Sequence, residues 1–387
     1  MIETWRWFGP EDPVPLSHIR QAGVEGIVTA LHQYIPGQVW TVEDIQKRKD
    51  LIERAGLAWS VCESIPVPDA IKREGIAARA EISAWKDTLA RLGRQGIETV
   101  CYNFMPVVDW TRTDLMFGLP GGGYALRYDH TDFAAYDIGI LKRSDAVRDY
   151  SAEVIVAARA RLGRMGEDDK IRLEQNIIAG LPGGAKTQTR QTIAKAIQSF
   201  AGLSEDGIRA NLAAFLKEVV PVAQDVGVKL AIHPDDPPFS LFGLPRVVST
   251  QADARAILAA VDAPENGLTF CTGSYGARAD NTLPEMAREF ADRINFAHLR
   301  MVRLEGGHSF HEAEHLHRLD ELLEVIKHIR AGEEKTDQAI PMRPDHGHLI
   351  GTDIGRAANP GYSYIGRLKG LAELRGLIAA SSQQKVA

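Results

Sequence analysis

The chain has 387 residues, of which 44% are hydrophobic and 25% are charged, and its formal net charge is −6. This length suits one large domain or two ordinary ones, and this composition suits a globular protein with a sizeable core. A negative net charge argues against a nucleic-acid-binding surface, which requires a basic face. It admits a small anionic ligand only where local cations or a metal ion overcome the general repulsion.

The cysteines and the N-terminus indicate the cellular compartment. Cys62, Cys101 and Cys271 are an odd number and lie far apart, which argues against a disulfide framework and favours a reducing compartment. The N-terminal stretch MIETWRWFGPEDPVP lacks the basic start and apolar run of a secretory signal. No apolar segment reaches the roughly 18 residues of a membrane span. The sequence therefore predicts a cytoplasmic, soluble protein with no membrane partner.

Short apolar runs alternate with amphipathic segments along most of the chain, a pattern typical of parallel strands joined by crossover helices. The segment 41–56 illustrates the helix signals, since Thr41 is a suitable N-cap and Gly56 a suitable end. In chain order, the predicted strands are 3–9, 24–31, 57–64, 97–104, 228–235, 267–274, 294–300 and 339–345. The main predicted helices are 41–56, 79–93, 205–226, 250–260, 284–292, 316–330 and 363–380.

Eight strands, each followed by a helix, predict an α/β fold in which one domain, 1–387, forms a (β/α)8 TIM barrel. Residues 105–203 interrupt the pattern, because they contain GLPGGGYALRYDH and GLPGGAKTQT and show no clean alternation. We therefore predict a long insertion after the fourth strand, with some helix at 145–161. Long insertions in compact domains are often lids or binding loops, so this region is also a candidate lid.

Metal-binding side chains stand at the ends of the last four predicted strands: His233, Cys271, His298 and Asp345. Reactive groups in such barrels gather where strands end, and neighbouring strands lie about 4.8 Å apart, so all four can reach one ion. Taken singly, each residue also has an ordinary structural role in packing, hydrogen bonding or helix capping. As a set, two imidazoles, a thiolate and a carboxylate suit Fe(II), Mn(II) or Zn(II), and not Ca(II).

Candidate proton-transfer groups lie next to this set. In the stretch IPMRPDHGH, His346 follows Asp345, and Tyr362 lies in NPGYSYIG on the loop after the eighth predicted strand. A histidine and a tyrosine form a workable pair for moving protons, which makes His346 and Tyr362 candidate catalytic residues. Three further residues are candidates for substrate binding, each with a structural alternative as an ion-pair partner or loop residue: Arg300, Arg343 and His311.

Two motif matches predict little. The stretch HEAEH (311–315) fits the H-E-x-x-H zinc-protease pattern, but that motif belongs in the middle of a helix, and the preceding LEGGHSF is typical of a loop. The stretch GLPGGAKT (180–187) nearly fits a phosphate-binding loop, but Ala185 replaces the second glycine and no strand-to-helix context surrounds it. We expect neither a protease site nor a nucleotide site.

Several stretches resemble the mannonate dehydratase family, a group of metal-dependent sugar-acid dehydratases with a xylose-isomerase-like barrel. They are AIHPDDPP, FCTGS, FAHLR, RPDHGH and NPGYSYIGRLKGLAELRG, and the N-terminal TWRWFGPEDPVPLSHIRQAGVEGIVTALH is also similar. The resemblance spans almost the whole chain. It implies a hydro-lyase that converts D-mannonate to 2-keto-3-deoxy-D-gluconate and water in hexuronate (glucuronate) catabolism.

The resemblance also implies roles for particular residues. The ligand motifs of the family fall on His233, Cys271, His298 and Asp345, and its proton-transfer residues fall on His346 and Tyr362, listed here by their position in this chain. Mn(II) or Fe(II) is the implied metal ion. The implied partner is a small sugar acid, D-mannonate, and we expect a homo-oligomer.

Two alternative functions stay open. A metal-dependent sugar isomerase would use the same barrel, although that family tends to supply carboxylate ligands, and Cys271 speaks against it. A non-catalytic sugar-acid-binding protein would need a degenerate site, and the apparently intact set of ligands and proton-transfer residues argues against it.

Overall fold

The computed structural model describes residues 1–180 and 189–383. These residues contain twelve strands, which in chain order are β1 (Ile2–Arg6), β2 (Gly26–Thr29), β3 (Ala58–Glu63), β4 (Thr99–Tyr102), β5 (Asp114–Gly118), β6 (Tyr124–Tyr128), β7 (Lys229–Ile232), β8 (Asn266–Cys271), β9 (Ile294–His298), β10 (Val302–Gly306), β11 (Ser309–Glu312) and β12 (Pro341–Arg343). Eight of them close into a parallel barrel in the order β1, β2, β3, β4, β7, β8, β9 and β12. Each barrel strand overlaps one predicted strand, so the predicted (β/α)8 barrel is confirmed.

Helices follow every barrel strand and cover the outside of the barrel. In the described residues they are α1 (Leu16–Gln21), α2 (Val42–Arg54), α3 (Asp69–Glu74), α4 (Arg79–Arg94), α5 (His130–Ala135), α6 (Ala152–Leu162), α7 (Glu167–Ile178), α8 (Arg190–Ser199), α9 (Glu205–Asp225), α10 (Gln251–Ala260), α11 (Thr272–Gly276), α12 (Leu283–Glu289), α13 (Leu319–Thr336) and α14 (Tyr364–Gln383). The predicted cap of α2 is present, because the Thr41 side chain accepts a hydrogen bond from the backbone N–H of Asp44. Within the described ranges, no helix is both long and apolar enough to cross a membrane.

The helix predicted at 316–330 begins and ends later than expected, since α13 runs from Leu319 to Thr336. Arg318 has a left-handed backbone with a φ of 61°, and a residue in this conformation does not continue an α-helix. The buried face of α13 therefore starts at Leu322, while Leu316 and Leu319 are exposed.

Side-chain alternation separates the inside of the barrel from its outer layer. Val28, Val61, Cys101, Ala231 and Phe296 pack together in the interior, while the intervening residues of the strands join the larger core against the helices. The Phe296 ring lies edge-on against the ring of His298, with centroids 4.5 Å apart. The barrel is therefore filled below its carboxyl-terminal mouth, and this apolar plug forms the floor of the site.

The chain between β4 and α9 holds a second, smaller sheet. Strands β5 and β6 pair with β10 and β11 in an antiparallel sheet of order β10, β11, β6, β5. The stretch GLPGGG (118–123) is the turn of the β5–β6 hairpin, and the near-match to a phosphate-binding loop falls mostly outside the described residues. This sheet and α5 to α8 enclose a hydrophobic cluster of their own, beside the barrel mouth.

Candidate metal centre and active site

Three of the four predicted ligands form one compact group at the carboxyl-terminal ends of neighbouring strands. His233 follows β7, Cys271 ends β8 and His298 ends β9, and Cys271 and His298 stand opposite each other in the parallel register. The candidate ligand atoms of the three residues all lie within 4.8 Å of one another. His233 Nε2 is 3.1 Å from His298 Nδ1, so this group is a candidate site for a metal ion.

The other ring nitrogen of His233 is already bonded within the protein. His233 Nδ1 lies 2.7 Å from the carbonyl oxygen of Pro234, and a carbonyl can only accept, so Nδ1 carries the proton. In the neutral ring Nε2 therefore directs its lone pair at the group, which is the arrangement that orients metal-binding histidines.

Asp345 lies at the edge of the group, two residues after Arg343, the last residue of β12. Its Oδ2 atom is 3.9 Å from Cys271 Sγ and 3.8 Å from His298 Nδ1. The same oxygen accepts a hydrogen bond of 2.7 Å from Arg300 Nε, and Oδ1 accepts one from Arg343. The structure thus brings Asp345 next to the three predicted ligands, with its carboxylate held by two arginines.

Burial and neighbouring charge set the protonation of these residues. Burial lowers the pKa of His298 well below its usual value, and Arg343 adds to this effect, so the imidazole is neutral. Burial opposes ionisation of Asp345, but Arg343 and the other cations around it hold the pKa of this carboxyl well below its usual range. Burial alone would lower the pKa of His233, whereas the hydrogen bond and charge of Cys271 raise it to about 9. A metal ion that binds here displaces that proton.

A buried ion network surrounds the group. Arg300 binds Asp236, Glu312 and Asp345, and Arg343 binds Glu63 and Asp345. The two predicted substrate-binding arginines are therefore each held by protein carboxylates. Both lie almost fully inside the protein, where such pairs fix geometry.

Glu312 connects this network to the predicted proton-transfer residue His346. The Oε1 atom of Glu312 lies 3.0 Å from His346 Nδ1 and 2.9 Å from a guanidinium nitrogen of Arg112. The rings of His346 and Tyr362 meet edge-on with centroids 5.2 Å apart. The structure thus places both predicted proton-transfer residues side by side at the barrel mouth, with one orienting carboxylate behind the histidine.

A close approach of two loops holds His346 and Tyr362 together. The backbone N–H of Gly347 donates to the carbonyl of Gly361 at 2.8 Å. Gly361 has a φ of 78°, and a Cβ atom there would stand 3.3 Å from the His346 ring and 2.6 Å from Leu126. A glycine is therefore required at the position that packs against the histidine.

The HEAEH stretch proves to lie on β11 and the loop after it, which is not the helix that the zinc-protease pattern requires. His311 Nδ1 bonds to Glu305 at 2.5 Å, and its ring packs 5.1 Å from that of Phe117. The structure does not bring His311 to the metal group. His315 is buried and its Nε2 bonds to the carbonyl of Pro344 at 2.7 Å, which anchors the turn before Asp345.

A cleft connects the group to the surface. The inner compartment, of about 40 Å³, is lined by His233, Asp345, His346 and Tyr362 among others. An outer compartment of about 500 Å³ opens above it, and its wall includes Val107 and 178–180 from the inserted region. The two compartments share Arg6, Ser64, Asn103, Met105 and Asp109.

Several residues of this site were not predicted. Arg6 and Glu63 are the last residues of β1 and β3, so the strand-end rule, applied to the first strands as well as the last, points to both. Asp236 follows His233 by three residues and pairs with Arg112 and Arg300. The single sequence carries no comparable signal for Arg112 or Glu312. Glu312 reaches the site from β11 of the smaller sheet, and Arg112 from the segment just before β5.

Comparison with known proteins agrees with the geometry. The family model described as D-mannonate dehydratase (UxuA) matches residues 1–387. The chain is 58% identical over 389 residues to mannonate dehydratase 2 of Agrobacterium fabrum, covering 99% of this chain and 98% of that protein. It is 53% identical over 387 residues to mannonate dehydratase of Saccharophagus degradans, covering 98% of each.

Solved structures show the same relationship. The crystal structure of mannonate dehydratase from Streptococcus suis serotype2 superposes with a TM-score of 0.77 at 33% identity, covering 99% of this chain and 94% of that one. A D-tagatose 3-epimerase-like protein superposes with a TM-score of 0.54 at 11% identity, covering 100% of both chains. The second likeness concerns the barrel fold alone.

Proposed function

The chain belongs to the D-mannonate dehydratase family, and we propose that His233, Cys271, His298 and Asp345 hold the divalent metal ion of its dehydration reaction. The enzyme is a hydro-lyase that converts D-mannonate to 2-keto-3-deoxy-D-gluconate and water, a step of hexuronate catabolism. The observation that carries the assignment of the site is the convergence of three candidate ligand atoms within 4.8 Å, at the mouth of the barrel.

The residues present fit a first-row transition metal. Two imidazoles, a thiolate and a carboxylate are a mixed set that Mn(II) or Fe(II) accepts and that Ca(II) does not. When bound, such an ion polarises a neighbouring substrate oxygen and stabilises negative charge as it develops. Whether Mn(II) or Fe(II) is the natural ion stays a prediction, as do the cytoplasmic location, the homo-oligomer and direct substrate contacts by Arg300, Arg343 or His311.

His346 is suited to take the proton from the carbon next to the substrate carboxylate. Its Nδ1 atom faces the Glu312 carboxylate at 3.0 Å, and since a carboxylate accepts, Nδ1 carries the proton. Nε2 then carries a free lone pair that can accept the substrate proton, and the charge of Glu312 stabilises the imidazolium that forms.

Tyr362 is suited to protonate the departing hydroxyl on the next carbon. Burial raises the pKa of Tyr362 above its usual value, so the phenol keeps its proton at neutral pH. Loss of the hydroxyl as water leaves an enol, which becomes the 2-keto acid. The 5.2 Å between the two ring centroids suits groups that act on adjacent carbon atoms.

The inserted region contributes to the outer wall of the cleft. Val107, Asp109 and 178–180 line the outer compartment, and this placement supports the proposal that 105–203 covers bound substrate. A lid of this kind excludes water from the reacting atoms.

Metal removal tests the proposal. We expect chelation to abolish turnover of D-mannonate and added Mn(II) or Fe(II) to restore it, with a product lighter than the substrate by one water. An isobaric product would instead indicate the sugar isomerase, and binding without turnover the non-catalytic protein. Full activity of metal-free protein would exclude the proposed centre.

Replacement of the thiol tests the ligand set directly. We expect Cys271→Ser to lower the metal content per chain, measured by elemental mass spectrometry, because serine is a poor ligand for these ions. Cys62→Ser is the matched control, since Cys62 is equally buried but lies outside the group. Equal metal content in the two variants would remove Cys271 from the ligands.

A further inference from the structure

Arg6 is a buried cation that forms no ion pair with an acidic residue in the described ranges 1–180 and 189–383. The residue ends β1 and is 6% exposed. Its guanidinium donates to the backbone carbonyl of Glu63 and lies 3.5 Å from His32 Nε2, and it stacks 4.7 Å from the Phe8 ring centroid. In the described part of the chain, no carboxylate forms an ion pair with Arg6. A buried charge without a counterion is costly.

The neighbouring arginines of the mouth differ in this respect. Arg112 pairs with Asp236 and Glu312. As described above, Arg300 pairs with three carboxylates and Arg343 pairs with two. The guanidinium charge of each of these three arginines is therefore already neutralised by carboxylates of the protein. An anion that enters the mouth therefore meets Arg6 as the cation that no protein carboxylate neutralises.

Among the residues that the structure describes, two other buried arginines form no ion pair, but neither lines the cleft. Arg367 donates to the carbonyls of Arg6, Tyr362 and Ser363, and Arg246 donates to the carbonyl of Val108. Arg6 differs from both because it lines the inner and the outer compartment.

D-mannonate carries one ionised group, its carboxylate, attached to the carbon that loses the proton. This carboxylate must lie near His346 and Tyr362 when the substrate reacts, and Arg6 lines the same inner compartment as both. On the premise of the proposed function, we propose that Arg6 binds the substrate carboxylate and makes the enzyme select sugar acids over neutral sugars.

The chemistry of the guanidinium fits this role. An arginine binds a carboxylate through two parallel N–H donors, a stronger and more directional contact than a neutral hydrogen bond. Arg48 lies nearby, stacked 5.3 Å from the Trp7 ring centroid, and adds to the local positive potential. A chain with a net charge of −6 can in this way attract an anion to its mouth.

The test compares a charged inhibitor with a neutral one in the metal-loaded enzyme. The probes are the 3-deoxy analogue of D-mannonate, which has no hydroxyl to eliminate, and the neutral amide of that analogue. We expect Arg6→Gln to weaken inhibition by the acid about tenfold or more and inhibition by the amide less than about twofold. Glutamine removes the charge and keeps an N–H donor for the Glu63 carbonyl.

Arg48→Gln is the matched control, because it removes a neighbouring charge outside the lining of the cleft. We expect this variant to leave the acid-to-amide ratio of inhibition constants within about twofold. Arg6→Lys keeps the charge but loses the paired donors, so its acid-to-amide ratio of inhibition constants rises less, by about threefold; this variant decides the question if Arg6→Gln does not fold.

An unchanged acid-to-amide ratio in the Arg6 variants overturns the proposal, as does an equal loss for both inhibitors. Metal content and the wild-type product are measured in the same series. If wild-type enzyme fails to dehydrate D-mannonate, the proposed function itself fails. If wild-type enzyme is active and the ratio does not change, the role of Arg6 alone is wrong.

Discussion

Glu312 shows how a single carboxylate organises the mouth of the barrel. It is 3% exposed and lies between two guanidinium groups, those of Arg112 and Arg300, and the imidazole of His346. Burial disfavours its charged form, but Arg300 and His346 together hold the pKa of Glu312 far below its usual range. The residue is therefore an anion that orients His346 and is not among the residues that line the inner compartment.

We predict that Glu312→Gln lowers kcat by about tenfold to a hundredfold. Glutamine preserves the size of the side chain but removes the charge that fixes the histidine tautomer and stabilises the imidazolium. We expect KM and metal content to change little, because Glu312 does not line the inner compartment and is linked to the proposed ligand Asp345 through Arg300 rather than directly. The measurement is steady-state kinetics together with metal analysis.

Glu314→Gln is the control for this change, since Glu314 lies two residues away with a side chain that is 56% exposed. It should leave kcat unaltered. A Glu312→Gln enzyme with wild-type kcat, or one whose defect is confined to KM, would show that Glu312 does not position His346.

The same residues show what a single sequence can predict about a site. The strand-end rule brings His233, Cys271 and His298 together because the barrel places consecutive strand ends side by side, and the structure has them in one group. Glu312 and Arg112 escape that rule, since they reach the site from outside the barrel strands. Arg112 lies 124 residues from Asp236 and 200 residues from Glu312 in the sequence, and no local pattern encodes such contacts.

At the scale of elements, the barrel was predictable and the smaller sheet was not. The barrel strands are short apolar runs whose burial is local and visible in the sequence. The smaller sheet joins Tyr128 to Phe310 across β6 and β11, which are separated in the chain by three barrel strands, β7, β8 and β9. A sheet built from such distant segments leaves little hydrophobic periodicity in either segment. For this reason the sequence of 105–203 shows no clean alternation of strands and helices.

Arg112 anchors the inserted region to the barrel, and its loss is expected to destabilise the protein. The side chain is fully buried and pairs with both Asp236 and Glu312. Arg112→Met removes the cation and leaves two carboxylates in a dry site with only Arg300 between them. We predict a loss of about 3–5 kcal/mol in the free energy of unfolding, measured by urea denaturation.

Arg172→Met is the matched change in the same region. Arg172 pairs with Asp169 on the surface of α7, and its side chain is 68% exposed, so its ion pair contributes little to stability. Similar unfolding curves for the two variants would mean that Arg112 does not anchor the insertion.

At the scale of the whole molecule, the charge at the mouth differs from the charge of the chain. The chain carries −6, yet the mouth holds four buried arginines, Arg6, Arg112, Arg300 and Arg343, and four buried carboxylates, those of Glu63, Asp236, Glu312 and Asp345. Their formal charges cancel, although none of these carboxylates forms an ion pair with Arg6. A divalent ion with the Cys271 thiolate adds one positive charge, and the carboxylate of a sugar acid neutralises it. With metal and substrate both bound, the formal charges of these groups again sum to zero.

Partly buried histidines outside the metal group give the whole molecule a predictable response to acid. Burial, assisted by Arg6 and Arg48, lowers the pKa of His32 to about 3. Burial, assisted by His308, lowers the pKa of His130 to about 4. Below the unfolded value of 6.5, the unfolded chain binds protons that the folded chain does not, so stability is lost as pH falls from 6.5 towards these values.

We predict that His130→Gln makes the free energy of unfolding less dependent on pH between 6.5 and 4, because it removes one such histidine. The slope should fall by up to about 1.4 kcal/mol per pH unit, whatever the variant does to stability at neutral pH. Urea denaturation at a series of pH values measures it, and His18→Gln, at an exposed position on α1, should leave the slope unchanged. A His130→Gln slope equal to that of wild type would mean that His130 is protonated in the folded protein over this range.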